Sequence, residues 1–315
     1  MRPWKTAFLS ISIALIVVLN GCKKDNPIEP AVTDQQAMAD LVLGDGLFTQ
    51  DNSLMSDDPS DPSLLGKTAL TIDPKIWGRT IVSFHRTFVF SSVTDTSAEA
   101  LVINEITGQL WIVPKDSTKS VVVKNYTDST YRRVLFSVIP GQSRPQTKWR
   151  ISAISALQGG TPQGAVNMLS ITNASFFIGG DTLQITDPLN TFFKIGNSFD
   201  HWRLRVMAPS LVDSFKVQVT VRSAFRDTDI VVIHRPLWFG LTFRYYRAPM
   251  RLLSSTLVNG YYVRVYEHTW HGAPPGRHNV IISALSKWSV TEEALDSTKI
   301  VTAREWGIPY VVQNQ

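Results

Sequence analysis

The stretch FKVQVTVR at residues 215–222 alternates strictly: Val217, Val219 and Val221 fall on one side, Lys216, Gln218 and Arg222 on the other. A period of two is the signature of a β-strand with one buried face, and three β-branched residues on that face favour the extended state. The same pattern recurs outward in both directions. After it come strand-like runs at 230–234, 241–246, 251–258, 261–268, 280–285 and 308–312; before it lie 167–178, 182–186 and 202–207. Asn259-Gly260 separates two of these runs, and that pair is the preferred two-residue hairpin turn because both positions take positive φ. Short strands at such spacing point to a β-sandwich over residues 165–315.

Further upstream the glycine-rich LQGGTPQG at 157–164 reads as a boundary, with a linker at 158–164. The preceding half, residues 33–157, reads as α+β. Thr33-Asp34-Gln35-Gln36 has capping-box spacing, and Ala37, Met38, Leu41 and Val42 follow on one helical face that ends near Gly44 to Gly46. Residues 51–66 have loop composition. From Arg79 the period changes to two, with Phe84, Phe88 and Phe90 on one face. Val102, Ile106, Leu110 and Ile112 share a face of the run 100–113, with Gly108 as a candidate bulge. Strands are expected at 120–125, 131–139 and 149–156.

The first residues carry a different message. Arg2 and Lys5 precede an uncharged apolar run at 7–19, which is 13 residues long, whereas a spanning helix needs roughly 20. This is the layout of a secretory signal over residues 1–21. Leu19-Asn20-Gly21-Cys22 resembles the lipobox of bacterial lipoproteins. That resemblance implies a diacylglyceryl group on the Cys22 thiol, cleavage before Cys22, palmitate or similar acyl chains, and attachment to a membrane. Lys23 in second place favours, by the same resemblance, the cell outer membrane. Residues 22–32, with two prolines and little to bury, read as a tether. Cys22 is the single cysteine, so no intramolecular disulfide exists and stability rests on the core.

By element order the first half resembles cystatin-like or nuclear-transport-factor-2-like cones, which implies a short helix on a curved antiparallel sheet. The second half resembles immunoglobulin-like modules of surface lipoproteins. The ending Trp306-Gly307-Ile308-Pro309-Tyr310 is similar to that of two-domain envelope lipoproteins with a C-terminal immunoglobulin-like sandwich, a likeness that brings no activity with it.

Hydrophobic content of 43% is that of a globular chain. The formal charge is +5, and +3 once Arg2 and Lys5 are removed, but it is unevenly spread. Residues 31–66 hold seven Asp and no base; residues 201–280 hold ten Arg and Lys216 against Asp213, Asp227, Asp229 and Glu267, a formal +7. Such a split fits a contact within the chain, solvated strand faces or an anionic partner. For an exported protein that partner is an acidic glycan or a lipid head group, or another envelope protein, and not nucleic acid.

Catalytic signatures are missing: the sequence has no G-x-S-x-G, H-E-x-x-H, G-x-G-x-x-G or phosphate-loop pattern. Three of the six histidines, His268, His271 and His278, lie close together; they are candidate zinc or copper ligands, with ordinary turn and strand histidines as the plainer reading. Asp57, Asp58 and Asp61 read as a solvated acidic loop, since their spacing is not that of a calcium loop. Trp238, Arg244, Tyr245, Tyr246, Arg247 and Arg251 mix aromatic faces with cations. They are the candidate glycan- or polyanion-binding stretch. In a cone, Trp111 on the face opposite Leu110 and Ile112 would line a pocket or lie outside, and Glu105 is the one acid within the well-patterned strands. No cofactor is implied. The order of readings is therefore a non-enzymatic envelope lipoprotein acting by binding or assembly, then a glycan- or polyanion-binding lipoprotein, then an enzyme of the cone-fold kind.

Overall fold

The computed structural model describes residues 32–55, 74–116, 118, 120–161, 168–178, 181–195, 205–207, 214–239, 242–271, 276–291 and 301–313. Residues Thr33–Gln315 form one compact unit, and the chain is mainly β. Cys22, the tether and the acidic residues Asp57, Asp58 and Asp61 lie outside the described residues.

Helix α1 spans Asp34–Gly44. The Thr33 hydroxyl accepts from the Gln36 amide at 3.1 Å, as the capping-box spacing predicts. Gln36 does not reach back; its side chain donates to Asp40 one turn on. Ala37, Met38 and Val42 are buried. A second helix, α2 (Gly46–Met55), follows where loop composition was expected from residue 51 onward. The Asp45 carboxylate accepts from the Leu47 amide and starts it, and Leu47, Phe48 and Met55 are buried.

Three long antiparallel strands come next: β1 (Pro74–Val93), β2 (Ser97–Pro114) and β3 (Val122–Val138). Phe84, Phe88 and Phe90 face inward opposite Ile106, Val102 and Ala100, as the alternation predicts. The irregularity expected at Gly108 falls on the facing strand, where the β1 register shifts between Ile81 and Ser83. Gly108 itself is needed for space, because a Cβ there would stand 2.4 Å from the Tyr126 ring. The two strands expected at 120–125 and 131–139 are one. Residues 126–130, which lie between the two expected runs, are largely polar, but Asp128 and Thr130 are buried on the inward side of a continuous strand.

After a single turn, α3 (Pro145–Lys148), the chain forms β4 (Trp149–Ser155) and β5 (Leu157–Gly160). The expected linker at 158–164 is therefore corrected: its first residues are a strand hydrogen-bonded to β3 on one side and to the final strand, β16 (Ala303–Gln313), on the other. Thr161 beyond it is buried. The glycines signal close approach, not a break. At Gly160 φ is +129° and a Cβ would meet the Ala303 carbonyl at 2.2 Å.

The remaining strands are β6 (Leu169–Ile178), β7 (Asp181–Ile185), β8 (Phe192–Lys194), β9 (Arg205–Met207), β10 (Ser214–Ser223), β11 (Ile230–Phe239), β12 (Thr242–Pro249), β13 (Arg251–Val258), β14 (Tyr261–His271) and β15 (Gly276–Leu285), with a short α4 (Lys287–Thr291) before β16. Asn259 and Gly260 turn β13 into β14 with φ of 49° and 80°, as the pair predicts.

Two sheets result. One runs β1-β2-β3-β5-β16-β15-β11-β12, with β4, β8 and β9 paired at its side; the other runs β13-β14-β10-β6-β7. Strands from both halves of the sequence thus share the large sheet, so its hydrogen bonding crosses the expected boundary. Val217, Val219 and Val221 of the smaller sheet and Val280, Ile282 and Ile308 of the larger belong to one apolar cluster. A second cluster joins Trp77, Ile106, Leu110 and Tyr126 of β1 to β3 with Val232, Ile281, Leu285 and Ala303 of β11, β15 and β16. Residues this far apart in strand order meet only if the large sheet curls. Its two edges do face each other: Arg247 on β12 donates to the Trp77 carbonyl on β1 at 2.6 Å.

Candidate functional site

The inside of the curl holds a layer of charge between the apolar clusters. Arg79 on β1 donates to Glu305 on β16 and, at 3.1 Å, to the Ser283 hydroxyl on β15. Asp128 on β3 stands 3.6 Å from the same guanidinium, and Thr161 donates to it at 3.2 Å. All five side chains are buried. Burial pushes the Asp128 carboxyl up to about 7; the Glu305 charge adds to this and Arg79 opposes it. His234 on β11 lies in the same layer, and burial, reinforced by Arg79 and Arg247, holds its imidazole well below the usual range and neutral.

Next to this group, Arg132 on β3 grips α2. It donates to both Asp51 oxygens, at 3.0 and 3.1 Å, and to the Ser155 carbonyl at 2.9 Å. Asn279 on β15 adds bonds to Asp51 and to the Leu47 carbonyl. Arg86 reaches the Phe48 carbonyl and Asn104, which in turn bonds Thr130. Burial raises the Asp51 carboxyl, with Arg132 and Arg86 pulling the other way. Asp51 is paired with Arg132 and Glu305 with Arg79, and both pairs carry further hydrogen bonds, which is how buried ions are tolerated. The acidic segment thus finds bases within the chain: Asp34 pairs with Lys148, Asp45 with Arg277 and Asp51 with Arg132.

The residues singled out in the sequence are dispersed. Arg247 is buried with its guanidinium 3.9 Å from the Trp77 ring centre, so it braces the curl and does not face a ligand. Tyr246 is half-buried against Arg235. Arg251 is exposed and bound to Glu267 at 3.1 Å. Trp238, Arg244 and Tyr245 sit on the β11–β12 ladder opposite Phe243, Leu237 and Pro236. His268 is half-buried beside Trp270 on β14, whereas His278 is buried beside Tyr310 on β15. These two histidines lie in different sheets, and His271 closes β14 opposite Ser214. Among the described residues no three His, Cys, Asp or Glu side chains are grouped as metal ligands. Glu105 is exposed on the outer face between His85 and Ser129. Trp111 lies on that outer face over Gly78, where a Cβ would stand 2.1 Å from its ring.

A cavity of about 410 Å³ opens on the outer side of the large sheet, where β5 is wedged between β3 and β16 and the start of β6 passes over. Tyr131, Gln158 and Trp306 line it from three adjacent strands, and Ser129, Ser170 and Arg304 complete its polar wall. Arg304 is held in place by the Leu169 and Thr161 carbonyls, at 3.1 and 2.7 Å. None of these six residues stands out by type. The one sequence signal is Gly159-Gly160, whose missing side chains let β3, β5 and β16 approach closely at the cavity wall.

Comparison with family models, with curated proteins and with solved structures gives no match.

Proposed function

We propose that this chain is a membrane-anchored envelope lipoprotein, non-enzymatic, that works by binding or assembly at the outer membrane. The observation that carries the reading is Leu19-Asn20-Gly21-Cys22 after a short apolar run, with Cys22 the single thiol. Stable attachment takes two or more acyl chains, since one binds reversibly, and lipidation at one cysteine followed by amine acylation supplies them.

The fold supports the finer architecture. The order β6-β10-β14-β13 in one sheet, with β12-β11-β15-β16 in the other, is the A-B-E-D and C′-C-F-G order of immunoglobulin-like sandwiches. The packing of α1 on β4, and the bonds that Arg86 and Arg132 send from β1 and β3 to α2, support the cone reading of the first half. Asp51 and Asp128, whose carboxyls burial raises, are enclosed and face Arg132 and Arg79, a use of charge that favours a structural role over acid–base chemistry.

Membrane fractionation with the Cys22→Ser chain tests the proposal. The native protein is expected in the outer-membrane fraction and released only by detergent, and the variant in the soluble or inner-membrane fraction. A variant that still fractionates with the outer membrane as an acylated protein would remove the reading.

A further inference from the structure

We propose that the β3–β5–β16 cavity, with the outer strand face that leads to it, is a binding site for a neutral oligosaccharide, an inference that rests on the binding role proposed above. Its frame is set by strand register. One row runs Thr87, Ile103, Tyr131, Gln158, Trp306 and the next runs His85, Glu105, Ser129, Gly160, Arg304, each member directly paired with its neighbour on the adjoining strand. Five strands at about 4.8 Å spacing make a track of about 19 Å, the reach of a short saccharide chain and not of a single small ion. At one end the track drops into the cavity. Gly160 stands between Ser129 and Arg304 in the second row and lines the cavity with backbone alone.

The chemistry of the walls selects the ligand. A sugar ring offers an apolar C–H face and a rim of hydroxyls that both donate and accept. Tyr131, half-buried, supplies aromatic surface, Trp306 lines the cavity as a buried core residue, and between them the exposed Gln158 amide both donates and accepts. Ser129 and Ser170 are two-way hydroxyls, and Arg304 is a donor already fixed by two carbonyls, so little ordering is left for binding. The volume of about 410 Å³ lies in the range of small-ligand pockets. Charge argues against a polyanion: among the described residues Arg304 is the lone cation of the cavity lining, and Glu105 stands exposed three strands away in the same row. A purely apolar ligand is equally disfavoured, because it would strip water from the hydroxyls, the amide and the guanidinium without replacing their bonds.

The test is calorimetric titration of the full detergent-solubilised chain with cellotetraose, maltotetraose and chitotetraose, with tetragalacturonate as the anionic comparison. At least one neutral tetrasaccharide should bind. Gln158→Ala, at an exposed position that leaves folding intact, and Tyr131→Ala should each weaken it tenfold or more. Arg251→Ala, on β13 in the other sheet, should leave it unchanged. Binding of none of the neutral sugars, binding of tetragalacturonate alone, or binding weakened by Arg251→Ala and not by Tyr131→Ala would each overturn the proposal. Lipid on Cys22 is read separately by mass, so failure here with Cys22 acylated removes the saccharide site and leaves the envelope reading standing.

Discussion

Asp128→Asn should make the protein less sensitive to alkali, and the structure gives the sign. The Asp128 carboxyl is moved from 3.8 to about 7, chiefly by burial and then by the Glu305 charge. A carboxyl raised on folding binds its proton more tightly in the folded state. Its contribution is therefore fully present below 3.8 and is lost as pH rises through about 7. The distance between those values corresponds to about 4 kcal/mol, an upper limit because Asp128 and Glu305 share the Arg79 guanidinium. Asparagine keeps the shape and the oxygen that accepts from Thr161 but does not ionise. Urea unfolding of both proteins at intervals from pH 4 to pH 9 measures the difference through the midpoint at constant slope. Near pH 4 the two should be similar in stability. Above pH 7 the variant should gain on the parent by several kcal/mol. A stability difference that stays flat across this range, or that moves in favour of the parent as pH rises, would show that Asp128 folds as an ordinary ionised carboxylate and that the charged layer is wrongly described.

Other outcomes follow from the same geometry. Arg132→Leu leaves Asp51 buried with its main counter-charge gone, and should cost about 3 kcal/mol or more in denaturant unfolding; Asp51→Asn in the same background should recover part of the loss. Gly160→Ala forces a Cβ onto a residue with φ of +129° and against the Ala303 carbonyl. It should lower stability by about 2 kcal/mol or more, visible as a depressed melting temperature. Thr33→Ala removes the α1 cap and should cost about 1 kcal/mol, with faster hydrogen exchange at the Gln36 amide as the local readout. His234 should stay neutral as pH falls through 6.5, the ordinary histidine value, read as imidazole resonances that do not move there in a nitrogen-labelled sample.

The strands were legible where one face was apolar. The valines of β10, the phenylalanines of β1 and the Asn259-Gly260 turn all stand as their sequence pattern predicts. Legibility failed where the buried face is polar. Tyr126, Asp128, Thr130 and Arg132 keep the inward period of β3, in phase with Val134 and Phe136, but hydrophobic alternation is blind to a buried charge whose partner lies far along the chain. Arg79 and Glu305 are 226 residues apart, and nothing local to either announces the other. Gly159-Gly160 misled for a related reason. Glycine marks both loose chain and tight backbone approach, and only the three-strand contact around β5 distinguishes them. Helix α2 was missed because Asp51 and Asn52 carry loop propensity, which burial of Leu47 and Phe48 and the Arg132 contact outweigh. The aromatic and basic stretch around Arg247 drew attention as a surface, yet its guanidinium is spent on Trp77 at the closing edge of the sheet.

The most direct test of the central claim is the mass of the protein taken from membranes, with peptide mapping of its first residues. The account predicts that residues 1–21 are gone and that the first peptide begins at Cys22 with a diacylglyceryl group on sulfur and an acyl chain on the new amine. A chain that retains Met1, or a mature protein beginning at Cys22 with an unmodified thiol, would contradict it.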